Sequence, residues 1–177
     1  MPSSNENAVN AAGLTPTESK ALPTRTPSAE EKKIIDAISE LYKCTPSNSS
    51  YAHYTEKAVF HDPIGYANGL ELIKAQFNGL PKIFEKATID RLVVLETPSA
   101  LPNSTILVDQ DVTYYRKADT PTKTVNSLLT LERDAGGKIT RHTEEWDHKK
   151  ETDSTDGFIG SINEARKTLT AKVSDPF

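Results

Sequence analysis

Cysteine, tryptophan and methionine each occur once in this 177-residue sequence. A lone thiol, Cys44, cannot close an internal disulfide, which agrees with a reducing compartment. No apolar run approaches the roughly 18 to 20 residues that span a bilayer, and the first thirty residues lack the apolar core of a secretory signal. Acidic residues at Glu6, Glu18, Glu30 and Glu31 argue against a transit peptide. The expected location is the cytoplasm, with the nucleus as the alternative, and no membrane association. An excess of basic charge is also missing. Lys and Arg number 21 against 25 Asp and Glu, a net charge of -4, so nucleic acid is not an expected partner. None of the 8 glycines falls into a phosphate-cradling spacing. Neither Cys pairs, His-x-x-x-His nor calcium-loop spacings occur, and no Ser or Cys nucleophile motif is present, so neither cofactor nor metal is expected.

What is present organises the chain into three parts. Residues 1–27 are polar, rich in Ser, Thr, Pro, Asn and Ala and free of periodicity, so a disordered tail is expected there. Residues 28–150 carry the periodic patterns of one folded domain, and 151–177 read as a C-terminal helix and tail with Phe158, Ile162, Ala165 and Leu169 on one stripe. Ser28-Ala29-Glu30-Glu31 is a capping box, followed by Ile34, Ile35, Ile38, Leu41 and Tyr42 on one helical face up to about Cys44. A second short helix is expected over 48–56. Ala58 to Asp62 reads as a strand that Pro63-Ile64-Gly65 turns back on itself. From Gly69, Leu70, Ile73, Phe77 and Leu80 recur at helical spacing. The period then changes to two: 88–96, 105–116, 123–133 and 138–149 are four strand-like runs joined by short turns, hence an antiparallel meander. Helices followed by strands predict an α+β class: a cone-shaped barrel made of a strongly curved antiparallel or mixed sheet, three helices packed on it, and a C-terminal helix.

Alternate side chains on a strand share a face. In the last strand this places Thr140, His142, Glu144, Trp146 and His148 on one surface, and Arg141, Thr143, Glu145 and Asp147 on the other. A face with the only Trp beside a His and a Glu has the character of a pocket wall; the other reads as solvated, or as a contact surface. A Glu held against an indole away from water has its pKa raised toward neutrality and suits general acid–base work. In the preceding strands, Asp109 and Asp111 share a face with Tyr115, while Ile106, Val108, Val112 and Tyr114 form the face expected to meet the helices. Asp62, before a Pro, reads as a turn-fixing acceptor of backbone N–H groups. His61 is a candidate for the pocket mouth, and Phe77 for its lining.

The element order, the VFHDP segment with its following Gly, Ile and Phe, and the late ITRHTEEWD strand together resemble the nuclear-transport-factor-2-like superfamily, and within it the SnoaL-like branch, over about residues 30–150. The resemblance implies a cone-shaped cavity for a small, lipophilic molecule, homodimers in many members, and chemistry without a cofactor. It places a carboxylate on the last strand two residues before the aromatic, which is Glu144 here, with His142 or Asp111 as its partner. Trp146, Tyr115, Asp109, His61 and Phe77 are then lining residues. The activities implied are those of an isomerase, cyclase, dehydratase or hydrolase, and the alternative is a non-catalytic ligand-binding or dimeric interaction module. Asp109 stands where the epoxide-hydrolase relatives carry an Arg, which argues against that particular chemistry.

Overall fold

The computed structural model describes residues 7–152 and 157–174, in the second span with side chains through Lys167 except Ala165. Ala165 and Leu169, expected on the stripe of the last helix, lie outside the described side chains. Four α-helices, α1 (Pro16–Lys20), α2 (Ala29–Tyr42), α3 (Leu70–Asn78) and α4 (Gly157–Ser174), accompany seven strands. The strands are β1 (Thr24–Arg25), β2 (Tyr54–His61), β3 (Tyr66–Asn68), β4 (Lys86–Leu95), β5 (Ile106–Tyr115), β6 (Lys123–Arg133) and β7 (Ile139–Trp146). They form one curved sheet in the order β1-β4-β5-β6-β7-β2-β3. The β4 to β7 meander is antiparallel as its short turns demand, and among the described residues only the β2–β7 pairing is parallel, which makes the sheet mixed.

Local chemistry explains where the elements begin. Ser28 Oγ accepts the Glu31 N–H while the Glu31 carboxylate takes the Ser28 N–H, so the capping box opens α2 as expected. Glu31 also meets Arg25 at 2.6 Å, and that bond, outweighing the effect of burial, brings the Glu31 pKa down to about 2. Gly69 starts α3 at φ 104, a backbone angle that a side chain would strain. The short helix expected over 48–56 is a 3₁₀ turn, Asn48–Tyr51, because β2 claims the chain from Tyr54 onward.

Residues paired across a ladder share a face, so the register assigns each side chain to one side of the sheet. On the inner face lie Phe60, His142, Leu131 and Ile106 in one row, Glu144, Leu129 and Val108 in the next, and Trp146, Ser127 and Gln110 in a third. These rows meet α2, α3 and α4 in the main core, with Ile34, Leu41, Ile73, Phe77, Phe84 and Phe158 among its buried members.

The opposite face is covered as well, and this corrects the expectation of a disordered leader over residues 7–27. That segment folds through α1 and β1, and β1 extends the sheet beside β4. Ala12 and Leu22 pack on Leu95, Leu107 and Leu128, closing a second, smaller apolar cluster. Composition hid this because the segment is held by few apolar contacts and several polar ones: Asn10 Nδ2 donates to the His148 carbonyl and to Ser19 Oγ, and the Ala11 N–H donates to Glu145 Oε1. The face of β7 read as solvated is corrected at the same time, since Thr143 and Glu145 are buried beneath this cover.

Candidate functional site

Glu144 sits midway along β7 on the inner face, almost wholly buried. Three neutral donors hold its carboxylate. Tyr42, the last residue of α2, gives its hydroxyl proton to Oε1 at 2.9 Å. Ser127 Oγ and Trp146 Nε1 donate to Oε2 at 2.8 and 2.9 Å. Among the described residues no cation joins them, and burial followed by the nearby Asp62 charge pushes the Glu144 pKa up to about 7, against the pull of the three hydrogen bonds.

His142, one inward step earlier on β7, has no exposed surface. Its Nε2 lies 3.1 Å from the Tyr42 hydroxyl and its Nδ1 2.7 Å from the Tyr54 hydroxyl. Burial brings its pKa down to about 3, so the ring is neutral at ordinary pH. The network then fixes the tautomer. Tyr42 spends its proton on Glu144, so its oxygen accepts from Nε2–H, and Nδ1 accepts from Tyr54. Every proton in the chain from Tyr54 through His142 and Tyr42 to Glu144 points the same way. Phe60, Phe77, Tyr42 and Tyr54 surround the imidazole ring, at centroid distances between 4.8 and 6.1 Å.

The space in front of Glu144 is nearly full. It measures about 10 Å³ and is bounded by Tyr42, Phe77, Tyr114, Trp146, Phe158 and Ile162. That is room for about one water molecule. The cover is α4: Phe158 packs on Trp146, Tyr114 and Phe84, and Arg166 reaches Asp62 Oδ2 at 2.7 Å in a buried ion pair. The other oxygen of Asp62 accepts the Ile64 and Gly65 N–H groups, the turn-fixing role expected of it.

The structure brings His142, Trp146 and Phe77 to Glu144 and separates the other sequence candidates from it. Asp111, Asp109 and Tyr115 lie on the opposite face of β5, so the pairing of Asp111 with Glu144 and the lining roles of Asp109 and Tyr115 are corrected by the register. Asn126 Nδ2 ties Asp111 and Asp109 together at 2.8 and 2.9 Å. Asp109 also meets Arg91 and His148 at 3.1 Å each; burial acts against them, and these contacts still hold its carboxyl well below the usual range. His148 is not on the Glu144 face either. The strand ends at Trp146, and Asp147 and His148 take left-handed backbone angles, φ 55 and 62, which carry the imidazole to the other side of the sheet. There its Nδ1 lies 2.8 Å from Ser19 Oγ. Tyr115 stacks under Lys86, 4.5 Å from its ring centre. Cys44 is buried, and its thiol is pushed up to about 12, so it is a packed thiol and not a nucleophile.

His61 lies on the outer face as well, in register with Thr143. It lines a far larger cleft, about 710 Å³, between the N-terminal segment, the end of β2 and the outer side of β7. Sequence reasoning missed Tyr42, Tyr54, Ser127 and Arg166 as partners of the inner site. A signal existed for two of them: Ser127 interrupts the apolar alternation Val125, Leu129, Leu131 on an inward face, and a Tyr on the apolar stripe of a helix needs a buried acceptor for its hydroxyl.

Among the described residues, no group of three or more His, Cys, Asp or Glu side chains is arranged to hold a metal, and no helix is long and apolar enough to cross a membrane. No family model matches the sequence, and no curated protein matches it. Solved structures do resemble the fold. An NTF2-like protein from Anabaena variabilis ATCC 29413 superposes with a TM-score of 0.57 at 15% identity, over 70% of this chain and 95% of that one. A steroid delta-isomerase from Pseudomonas aeruginosa gives 0.52 at 13% identity, over 88% and 100%. An NTF2-like protein of unknown function from Exiguobacterium sp. 255-15 gives 0.50 at 14% identity, over 64% and 97%. With its curved seven-stranded sheet wrapped around three helices, the chain has the nuclear-transport-factor-2-like fold.

Proposed function

We propose that the protein is a SnoaL-like acid–base catalyst that works without a cofactor on a small, largely apolar metabolite, as an isomerase, cyclase or dehydratase. Glu144 is the group that moves the proton. The observation that carries this reading is a carboxylate in a dry aromatic setting with a pKa pushed up to about 7, so that both of its protonation states are populated near neutral pH. In the basic form it takes a proton from a carbon next to a carbonyl; in the acidic form it returns that proton to another carbon of the same substrate. In this reading the phenol of Tyr114, which borders the same space, gives a hydrogen bond to the oxyanion that develops between the two steps. His142 orients Tyr42, and Tyr42 orients Glu144. Substrate enters when Phe158 and Ile162 of α4 withdraw, since the present space admits no metabolite.

The test uses a panel of β,γ-unsaturated cyclic ketones, followed by the ultraviolet absorbance of the conjugated product. Turnover that falls by roughly 10²- to 10⁴-fold in Glu144→Gln, with the melting temperature retained, supports the reading; equal turnover in the variant rejects it.

One observation favours a second reading, a non-catalytic module on the same fold: α4 fills the cone down to about 10 Å³. Native mass spectrometry separates the two. A retained small lipophilic molecule that survives incubation unchanged points to a binding protein, and a homodimer with an empty interior points to an interaction module.

A further inference from the structure

The cleft on the outer face, about 710 Å³, lies within the range of small-molecule sites; it shares Asp62 and Glu144 with the lining of the small inner space but extends along Arg141, Thr143 and Glu145 on the other side of β7. Its lining is unusual in being polar at depth. Thr143 is 5% exposed, and its Oγ1 is buried without a hydrogen-bond partner among the described residues. Thr152 Oγ1, on the same lining, is in the same condition. Buried hydroxyls are almost always hydrogen-bonded, so two unpaired ones on one cleft mark positions that a bound molecule would satisfy. Glu145, also 5% exposed, accepts one hydrogen bond among the described residues, from the Ala11 N–H, although a carboxylate has room for about four. Arg141 lies 41% exposed at the other end, and its ion-pair contact with Glu132 is long, 3.9 Å.

Arg141, Thr143 and Glu145 are alternate residues of β7, so they form one row: a cation, a hydroxyl and an anion. Their Cα atoms span about 13 Å of strand, a gap that the reach of the Arg and Glu side chains shortens to about the 7 Å between the termini of an extended dipeptide. We propose that this cleft is a binding site for an extended zwitterion of dipeptide size, its ammonium group on Glu145, its central amide on Thr143 and its carboxylate on Arg141, with His61 beside it. Lys150 faces the same cleft near Glu145 and limits the ammonium end to one positive charge. Several acidic side chains, Glu132 and Glu151 among them, stand at the rim, so a dianion is repelled where a zwitterion is not.

The test is calorimetric titration of the full chain with alanyl-alanine, and with two analogues that each lack one charge, N-acetyl-alanyl-alanine and alanyl-alanine amide. The dipeptide is expected to bind and each analogue to bind at least about tenfold more weakly. Thr143→Val is nearly isosteric and removes the unpaired hydroxyl, so it is expected to leave the melting temperature unchanged or raised while weakening the dipeptide. Glu145→Gln keeps an oxygen for the Ala11 N–H and is expected to lose most of the affinity. Failure of the dipeptide to bind at millimolar concentration, equal binding of the acetylated form, or unaltered affinity in a folded Thr143→Val and Glu145→Gln pair would each overturn the proposal.

Discussion

The hydroxyl of Tyr42 stands 2.9 Å from Glu144 Oε1 and gives it a proton, which leaves its own oxygen free to accept from His142 at 3.1 Å. One phenol thus links the end of α2 to two successive inward residues of β7. Tyr42→Phe removes a donor from the carboxylate and an acceptor from the imidazole in a site that is almost wholly buried. The expected loss is about 1 to 3 kcal/mol in urea denaturation, with the Glu144 pKa moving further up because one of the bonds that lower it is gone. A loss below about 0.5 kcal/mol would show that the chain of hydroxyls does not order the interior.

Two buried groups make stability depend on pH. The Glu144 pKa is raised from 4.5 to about 7 on folding, so the native state binds the extra proton between those limits and stability falls there as pH rises. His142 has a folded pKa of about 3 against 6.5, so the unfolded state binds the extra proton and stability rises with pH across that window. The two slopes, each up to about 1.4 kcal/mol per pH unit, oppose one another between about 4.5 and 6.5 and leave a plateau. Glu144→Gln removes the falling limb, so its melting temperature is expected to climb with pH over the interval where the parent is flat. A parallel pair of profiles would refute the Glu144 assignment, and a flat profile in the variant would refute that of His142.

The Asp62–Arg166 pair, both side chains under one-tenth exposed, ties α4 to the turn between β2 and β3. Removing one partner leaves a buried charge alone, so Arg166→Met is expected to cost about 3 to 5 kcal/mol and the double change Asp62→Asn, Arg166→Met distinctly less. Hydrogen exchange along α4, compared with exchange in β5, reads whether the loss is local to the helix. Uniform change in both elements would mean that α4 does not detach as a unit.

His148 joins the N-terminal segment to the sheet through Ser19 at 2.8 Å and Asp109 at 3.1 Å. Deletion of residues 1–25 is expected to lower the melting temperature by several degrees and to bare Leu95, Leu107 and Leu128, with self-association seen in light scattering. An unchanged, monodisperse product would mean that the segment is dispensable.

The meander, the capping box before α2 and the turn at Asp62 were legible because each depends on short-range chemistry: a period of two, a Ser with a Glu three residues on, an Asp before Pro. Parity on β7 correctly joined His142, Glu144 and Trp146, since it needs nothing beyond an unbroken strand. It failed at His148 because two left-handed residues end the strand first, and Asp and His carry no mark of that conformation as Gly would. The distance of Asp111 from Glu144 follows from which rows of β5 and β6 pair, a long-range register that one strand does not encode. The role of residues 7–27 was concealed for a similar reason. Its anchors, Asn10, Ala11 and Ser19, act through single polar bonds to groups more than a hundred positions away.

Glu144 and Glu145 are neighbours in sequence, yet the carboxylate of one is held by Tyr42, Ser127 and Trp146 on the inner face and that of the other meets the N-terminal segment on the outer face. A single ribbon therefore serves as the partition between two compartments. Sliding that ribbon by one position would leave an acid on either side while exchanging indole for threonine, so an inserted or deleted residue between 139 and 146 would scramble both compartments at once, however conservative it looked in the sequence.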